Sequence, residues 1–444
     1  MKPFKYLCLL LAMLSVLSGC TFPSGDDLLA APQASANYKS LEEELKKIQA
    51  TQNYTAPIGG QNRSTVQLAD LDGDGVDEAI SFFASNPGAG GSQFSVYIHK
   101  KQDEAYVTTG SIVGAGVAIQ SVEYPVIAPD GRRGIVIAWK QSTEGTGALS
   151  VCTLNEEGAP KVLLETEYTA MELADLDGDG AQDLLLLGAD ESGKRAARLY
   201  QYQRGELVLA GTAPTNAEAV SVMSMTGGRV ANHTPAVFAE EKTESGVGLM
   251  TDIFVFSDGQ LHNITLDGEA AATFGTYRPV SVYARDINAD GITELPRATL
   301  MAGYENAAAA DALFMLDWYV YGPASQPQRV MTTYQNVSEE WQFTIDNAWH
   351  DQITAVKSSE SGLTAVHFSQ YVNANQSLPL FSIYCATGTL RDTYASRENV
   401  IQLAETDKAV FFARIDDVSG QAGIRIDESG IRARFKLIAT SWNT

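Results

Sequence analysis

DLDGDGVDE at 70–78, DLDGDGAQD at 175–183 and DINADGITE at 286–294 are three copies of one nine-residue acidic loop. Each places oxygen-bearing side chains at positions one, three, five and nine and a glycine at position six. Hard cations such as Ca²⁺ take about six to eight oxygens, and an alternating acidic loop with glycine at its bend wraps those oxygens round one point. The loops therefore read as calcium sites. The first cage comprises Asp70, Asp72, Asp74 and Glu78 with the Val76 carbonyl, and the second Asp175, Asp177, Asp179 and Asp183 with the Ala181 carbonyl. The third comprises Asp286, Asn288, Asp290 and Glu294 with the Ile292 carbonyl, and Asn288 supplies one charge fewer, so this site is expected to be the weakest of the three.

The residues after each loop decide the kind of site. An EF-hand or dockerin needs a carboxylate at position twelve with a helix after it, whereas position twelve here is Ser81, Leu186 or Arg297. The next stretches, EAISFFA, DLLLLGA and ELPRATL, are short apolar runs suited to buried strands. VQLA, MELA and VSVYA precede the loops, so the unit is strand, loop, strand. With its DxDxDG loop between two strands, the chain resembles the FG-GAP and VCBS repeat family, the integrin-type β-propeller repeat.

Asp175 lies 105 residues after Asp70, and Asp286 lies 111 after Asp175. That is about twice the ~50 residues of a four-stranded blade, which predicts a degenerate copy between each pair. AIQSVEYPVIAPDGRRGIVIAWK from Ala118 and AVSVMSMTGGRVANHTPAVFAEE from Ala219 fit, having kept the strands and lost the acids. EWQFTIDNAWHDQITAVKSS and NVIQLAETDKAVFFARI read as two more copies downstream. A strand, turn, strand unit comes after each copy: FSVYIHKKQDEAYVT, LSVCTLNEEGAPKVLL, RLYQYQRGELVLA, DIFVFSDGQLHNITL, DWYVYGPASQPQRVMTTY, FSIYCATGTLRDTY and GIRIDESGIRARFKL. The expectation is an all-β, seven-bladed propeller over 64–444, with calcium loops in alternate blades starting near 64, 117, 170, 218, 279, 339 and 398. Blades bury their faces only against one another, so this span stands or falls as one domain.

The N-terminus carries the address. Lys2 and Lys5 precede the apolar run YLCLLLAMLSVL, and Ser18, Gly19 and Cys20 complete LSGC. This matches the bacterial lipobox, which implies a signal peptide over 1–19, acylation of Cys20 and an extracytoplasmic, membrane-anchored protein; an ordinary cleaved signal is the alternative. Thr21 rather than Asp comes after the cysteine, so nothing indicates inner-membrane retention. Residues 20–36 read as a flexible tether. Within 37–63, YKSLEEELKKIQ is an amphipathic helix with Leu41, Leu45 and Ile48 on one face, expected to cap the ring. Cys152 and Cys385 fall on corresponding strands of the second and sixth blades and are expected to be buried free thiols.

Charge bounds the partners. The 31 basic and 54 acidic residues give a net charge of −23. Loss of Lys2 and Lys5 with the signal makes this about −25, and three bound Ca²⁺ bring it to about −19. Such a surface repels nucleic acid and anionic head groups, leaving the N-terminal lipid as the membrane link. The five histidines form no HExxH, and neither GxSxG nor a Walker loop occurs. The segment 333–351 concentrates Tyr334, Trp341, Phe343 and Trp349. Aromatic rings on a propeller face stack on sugars, which makes Tyr334, Trp341 and Trp349 a candidate ligand surface; in strands the same rings alternate into the core. Arg278 is expected to partner local acids. The functional expectation is a monomeric binding or scaffolding module for a cell-surface protein or glycan, with about three structural Ca²⁺. The alternatives are a propeller-fold polysaccharide lyase or glycoside hydrolase, which calls for an axial pocket with convergent Arg, Lys, Tyr or His, and an accessory subunit of a membrane-bound assembly.

Overall fold

The computed structural model describes residues 36–438, apart from 86–92, 104, 115, 143–144, 191, 267–274, 309–310, 324, 361, 396–399 and 417–422. The signal peptide, Cys20 and nearly all of the tether lie outside the described residues. The fold is all-β, with six separate antiparallel sheets. The first four sheets begin close to where the first four expected repeat units do. In chain order they comprise Val66–Ala69, Glu78–Ser85, Phe94–Gln102 and Ala105–Gly114; Ala118–Glu123, Ile135–Lys140, Gly147–Leu154 and Pro160–Tyr168; Ala170–Ala174, Asp183–Ala189, Arg195–Gln203 and Glu206–Pro214; and Ala219–Val230, Thr234–Thr243, Met250–Ser257 and Gln260–Asn263. Gln52–Tyr54 adds a short strand to the first.

Local chemistry explains these hairpins. Arg204 and Gly205 take φ of 55° and 88°, and Asp258 and Gly259 take 52° and 72°. A two-residue turn with both central φ positive matches the right-handed twist of its flanking strands. Side chains then alternate between faces. Leu184 and Leu186 pack back on Val136, Ala138, Leu149 and Val151 of the second sheet. Leu185 and Leu187 pack forward on Val237 and Phe254 of the fourth. Phe82, Val96 and Ile98 join the first sheet to Ile135, Ile137 and Trp139 of the second. Phe238 and Ile253 join the fourth to Leu295 and Tyr321 of the fifth. Each buried Leu, Ile or Phe contributes roughly 1.5–3 kcal/mol, so the core is a series of seams between successive sheets.

The outer faces of the stack are covered by helices. Helix α1 (Ala36–Gln49) buries Leu41 and Leu45 against Ala79 and Phe83, on the face of the first sheet turned away from the second. Helix α2 (Thr389–Ala395) places Leu390 on Ala386, Val410 and Phe412 of the sixth. Terminal units of a repeat array need such covers because they have a neighbour on one side only. Among the described residues, no hydrophobic cluster joins the sixth sheet to the first.

The last third departs from the expected seven units. EWQFTI does not begin a sixth blade: Trp341–Ile345 pairs with Ser325–Asn336 and completes a fifth sheet with Leu295–Leu300 and Phe314–Gly322. Asp346 accepts the Ala348 N–H at 3.0 Å, and this cap turns the chain before a sixth sheet starts at Ile353. That sheet runs Ile353–Glu360, Leu363–Asn373, Gln376–Thr387, Ala409–Ile415 and Ile401–Glu405. NVIQLAETDKAVFFARI therefore supplies its last two strands rather than a seventh unit. The physical reason is burial: Val410 and Phe412 face α2 while Phe411 and Ala413 face the fifth-to-sixth seam, so the strand needs an apolar partner on both faces. ESGIRAR forms helix α3 (Glu428–Arg434) instead of a strand, because Asp427 caps the Gly430 N–H at 2.7 Å and two arginines lie in its last turn. Phe435–Leu437 then returns to pair with Trp341–Ile345.

Candidate metal centres

The three acidic loops share one backbone plan. Position one organises the turn: Asp70 accepts the N–H groups of Gly73 and Gly75 at 2.9 and 3.0 Å, and Asp175 those of Gly178 and Gly180 at 2.7 and 3.0 Å. Asp286 does the same for Ala289 and Gly291 at 2.6 and 2.8 Å. Position five accepts the N–H two residues on, at 2.8 Å in each loop, from Val76, Ala181 and Ile292. Position nine is a buried carboxylate. Glu78, Asp183 and Glu294 accept the position-two N–H of Leu71, Leu176 and Ile287 at 2.9, 3.0 and 3.0 Å. Those position-two side chains are buried and tie the loop to the core.

Two loops gather carboxylates round one point. Carboxylate oxygens of Asp70, Asp72 and Glu78 lie within 4.8 Å of one another, and so do those of Asp175, Asp177 and Asp183. Oxygen-only donor sets at this separation fit a hard divalent ion. Burial pushes Glu78, Asp183 and Glu294 up to about 7 against the relief from the loop N–H, and neighbouring loop acids add to the rise. A cation held there would favour the ionised forms.

A nitrogen donor is aimed at the acids of each loop, and two of the three, Lys100 and Gln201, lie outside the nine residues, where loop spacing alone did not identify them. In the first, the Lys100 ammonium contacts Asp72 and lies 3.5 Å from Asp74 and 3.8 Å from Glu78. In the second, Gln201 Nε2 donates to Asp177 at 2.8 Å. In the third, Asn288 Nδ2 donates to Asp290 at 2.9 Å and Glu294 at 3.2 Å, while its oxygen accepts the Asp290 N–H at 3.0 Å. Lys100 and Gln201 occupy equivalent places: Ala79 pairs with His99 and Leu184 with Tyr200, so each stands opposite its position-nine acid. Strand register is the signal that finds them.

The aromatic ligand surface is corrected. Tyr334 and Trp341 are each 1 % exposed and Trp349 is 8 % exposed, all within the seam between the fifth and sixth sheets. Tyr334 lies 5.6 Å from Trp341 and edge-on to Phe368 at 5.4 Å. Trp341 Nε1 donates to Glu339 at 3.0 Å, and Arg434 sits 5.0 Å over Trp349. Strand alternation turned Tyr334 and Trp341 inward, and the short helical turn Asn347–Trp349 carries Trp349 into the same seam, so none is available to stack on a sugar. Arg278 is wholly buried and paired with Glu240 and Thr251. Cys152 and Cys385 are buried free thiols, pushed by burial up to about 12 and about 11. A cavity of about 610 Å³ lies near the end of the fifth-to-sixth seam, lined by Ser338, Glu339, Thr406, Lys408 and Ile438 among others. Glu339 is already engaged by Trp341, Asn336 and Thr364.

No family model and no curated protein matches the chain. Among solved structures, it is 11 % identical to a putative 6-phosphogluconolactonase from Bacteroides uniformis, over 73 % of this chain and 93 % of that one, with a TM-score of 0.23. It is likewise 11 % identical to an exo-β-1,3-galactanase from Phanerochaete chrysosporium, over 83 % and 92 %, with a TM-score of 0.24. Likeness at this level carries neither fold nor activity across to this protein.

Proposed function

We propose that this chain is a calcium-stabilised, propeller-type module of the FG-GAP/VCBS kind, tethered outside a bacterial cell through acylated Cys20 and serving to bind or scaffold a surface protein or glycan. The observation that carries the calcium reading is the pair of loops whose three carboxylates converge within 4.8 Å. They sit between the first two strands of the first and third sheets, as the repeat requires. The third loop repeats the backbone plan just before the fifth sheet. Successive face-to-face packing of six sheets supports a propeller-type repeat array, with helices rather than a sixth-to-first seam on its two end faces among the described residues. Asp70, Asp72, Asp74 and Glu78, Asp175, Asp177, Asp179 and Asp183, and Asp286, Asn288, Asp290 and Glu294 would hold the ions, which supply charge neutralisation and hold the flanking strands together.

Metal analysis of full-length protein equilibrated in millimolar calcium tests this reading. About three ions per chain in saturating calcium, removed by EDTA, is the expected result, and a metal-free protein overturns it. Cys20→Ala should move the protein out of the detergent phase on partitioning. Equal partitioning of both forms would remove the anchor from the proposal.

A further inference from the structure

The calcium reading makes the three loops equivalent; their nitrogen donors do not. The first loop has five acids, four of them at ligand positions, and faces a lysine; the second has four acids and faces the neutral Gln201; the third has three acids, with Asn288 inside the loop itself. By strand register, the place filled by Lys100 and Gln201 falls at Val320 in the fifth sheet, because Leu295 pairs with Tyr319.

Lys100 is not a free surface lysine. Its side chain is 22 % exposed, and its stem packs on the turn between the last two strands of the second sheet. A Cβ built at Gly158 in that turn would lie 2.6 Å from Lys100 Cδ, so a side chain there would push the stem aside. Gly158 also needs glycine for its φ of 77°, and its carbonyl accepts Thr109 Oγ1 at 2.7 Å. The neighbouring sheet thus holds the ammonium over Asp72, Asp74 and Glu78.

We infer that Lys100 is a built-in counter-ion of the first loop, so that calcium fills the loops unequally: the second most tightly, the third next, the first last. This rests on the calcium reading. A divalent ion entering the first loop must displace the ammonium or sit beside a like charge a few ångströms away, and either cost falls on affinity. In the second loop a neutral amide makes way, and all four acids remain for the ion. The Asn288 amide in the third is also neutral, and its oxygen is a usable ligand, but that loop has one acid fewer. The first sheet, which receives helix α1 on its outer face, is then held together without calcium. Calcium dependence is concentrated in the loops of the middle of the chain.

The test exchanges the two residues. Chelator-stripped full-length protein is titrated calorimetrically with calcium chloride as wild type, Lys100→Gln and Gln201→Lys, with Asp70→Ala and Asp177→Ala used to assign the steps. Lys100→Gln should tighten the first loop by about tenfold or more, and Gln201→Lys should weaken the second by a similar factor, about 1.4 kcal/mol each. In EDTA, Lys100→Gln should also melt below wild type, with calcium restoring it, since the uncovered acids then repel. If both exchanges leave affinities unchanged while Asp177→Ala still removes a binding step, the lysine inference fails and the calcium reading survives. If wild type and every variant bind no calcium, both fall together. An insoluble Lys100→Gln leaves Gln201→Lys to decide, because unchanged affinity there is sufficient to overturn the inference.

Discussion

Ala289 donates its backbone N–H to Asp286 Oδ1 at 2.6 Å while holding φ at 64°, a conformation that the other loops assign to Gly73 at 79° and Gly178 at 81°. A Cβ in the left-handed region costs about 1 kcal/mol that glycine avoids. Part of this is offset because glycine loses more freedom on folding. Ala289→Gly should therefore stabilise the protein by roughly 0.5 kcal/mol, with a small rise in melting temperature. The reverse change, Gly178→Ala, should lower it. A scanning-calorimetry comparison of the two variants checks both signs.

The acidic loops were legible because metal chemistry needs particular polar residues at rigid local spacing, and Leu184 to Leu187 read as a buried strand for an equally local reason. Lys100 was not legible: it reaches Glu78 only through the register of a hairpin whose turn length sets the pairing. Trp341 went unplaced for a related reason. Which face of a strand is inward depends on the sheet it joins, and EWQFTI joined the fifth rather than opening the sixth. AVFFARI shows the same limit, since its hydrophobic pattern demanded burial on both faces without naming the partner strand. Five of the expected strand, turn, strand units are hairpins in the structure. The two that fail contain α2 and α3, and in the second Asp427 caps a helix where the turn was expected.

His99 is buried between Ser81 Oγ, 2.7 Å from Nε2, and Thr108 Oγ1, 2.9 Å from Nδ1. Burial lowers its pKa from 6.5 to about 4. On acidification the unfolded chain takes the proton first, so stability is present above about 6.5 and is lost as pH falls toward 4. The single-proton loss comes to about 3 kcal/mol. His99→Gln should remove this part of the pH dependence, read as a smaller drop in urea midpoint between pH 7 and pH 5 than wild type shows.

Glu241 behaves with the opposite sign. It is fully buried, paired with Arg195 and facing Asp252, and its Oε2 has no hydrogen-bond partner among the described residues. Burial, then repulsion from Asp252, raises its pKa from 4.5 to about 8. Its contribution is complete below 4.5 and declines as pH rises through about 8, by up to about 1.4 kcal/mol per pH unit. Glu241→Gln keeps an acceptor for Arg195 and adds a donor toward Asp252. The variant should be the more stable form at pH 8, and denaturant midpoints at pH 6 and pH 8 measure the difference.

Trp341 lies in the fifth-to-sixth seam beside Tyr334 and Phe435, and its indole N–H is satisfied by Glu339. Truncating such a residue costs about 3–5 kcal/mol through lost burial and the cavity left behind. Trp341→Ala should lower the urea midpoint severely, whereas a surface tryptophan would leave it nearly unchanged. A mild effect would count against the weight given to this seam.

Chelation decides what the ions do. If calcium binds the native state alone, each site contributes RT ln(1 + [L]/Kd), about 2.7 kcal/mol at a hundredfold excess over Kd. Because Lys100, Gln201 and Asn288 already donate to the loop acids, the metal-free chain should remain folded and melt cooperatively at a lower temperature. Asp177→Ala removes a member of the convergent second cluster and leaves the Gly178 and Gly180 contacts of Asp175 in place. It should therefore reproduce part of the EDTA effect in calcium and add little to it in EDTA. A catalytic ion would behave differently, with an activity lost on chelation and the midpoint scarcely moved. Scanning calorimetry of wild type and Asp177→Ala, each with calcium and with EDTA, separates the two. An unchanged wild-type midpoint would count against a structural role and turn attention to the enzyme alternative.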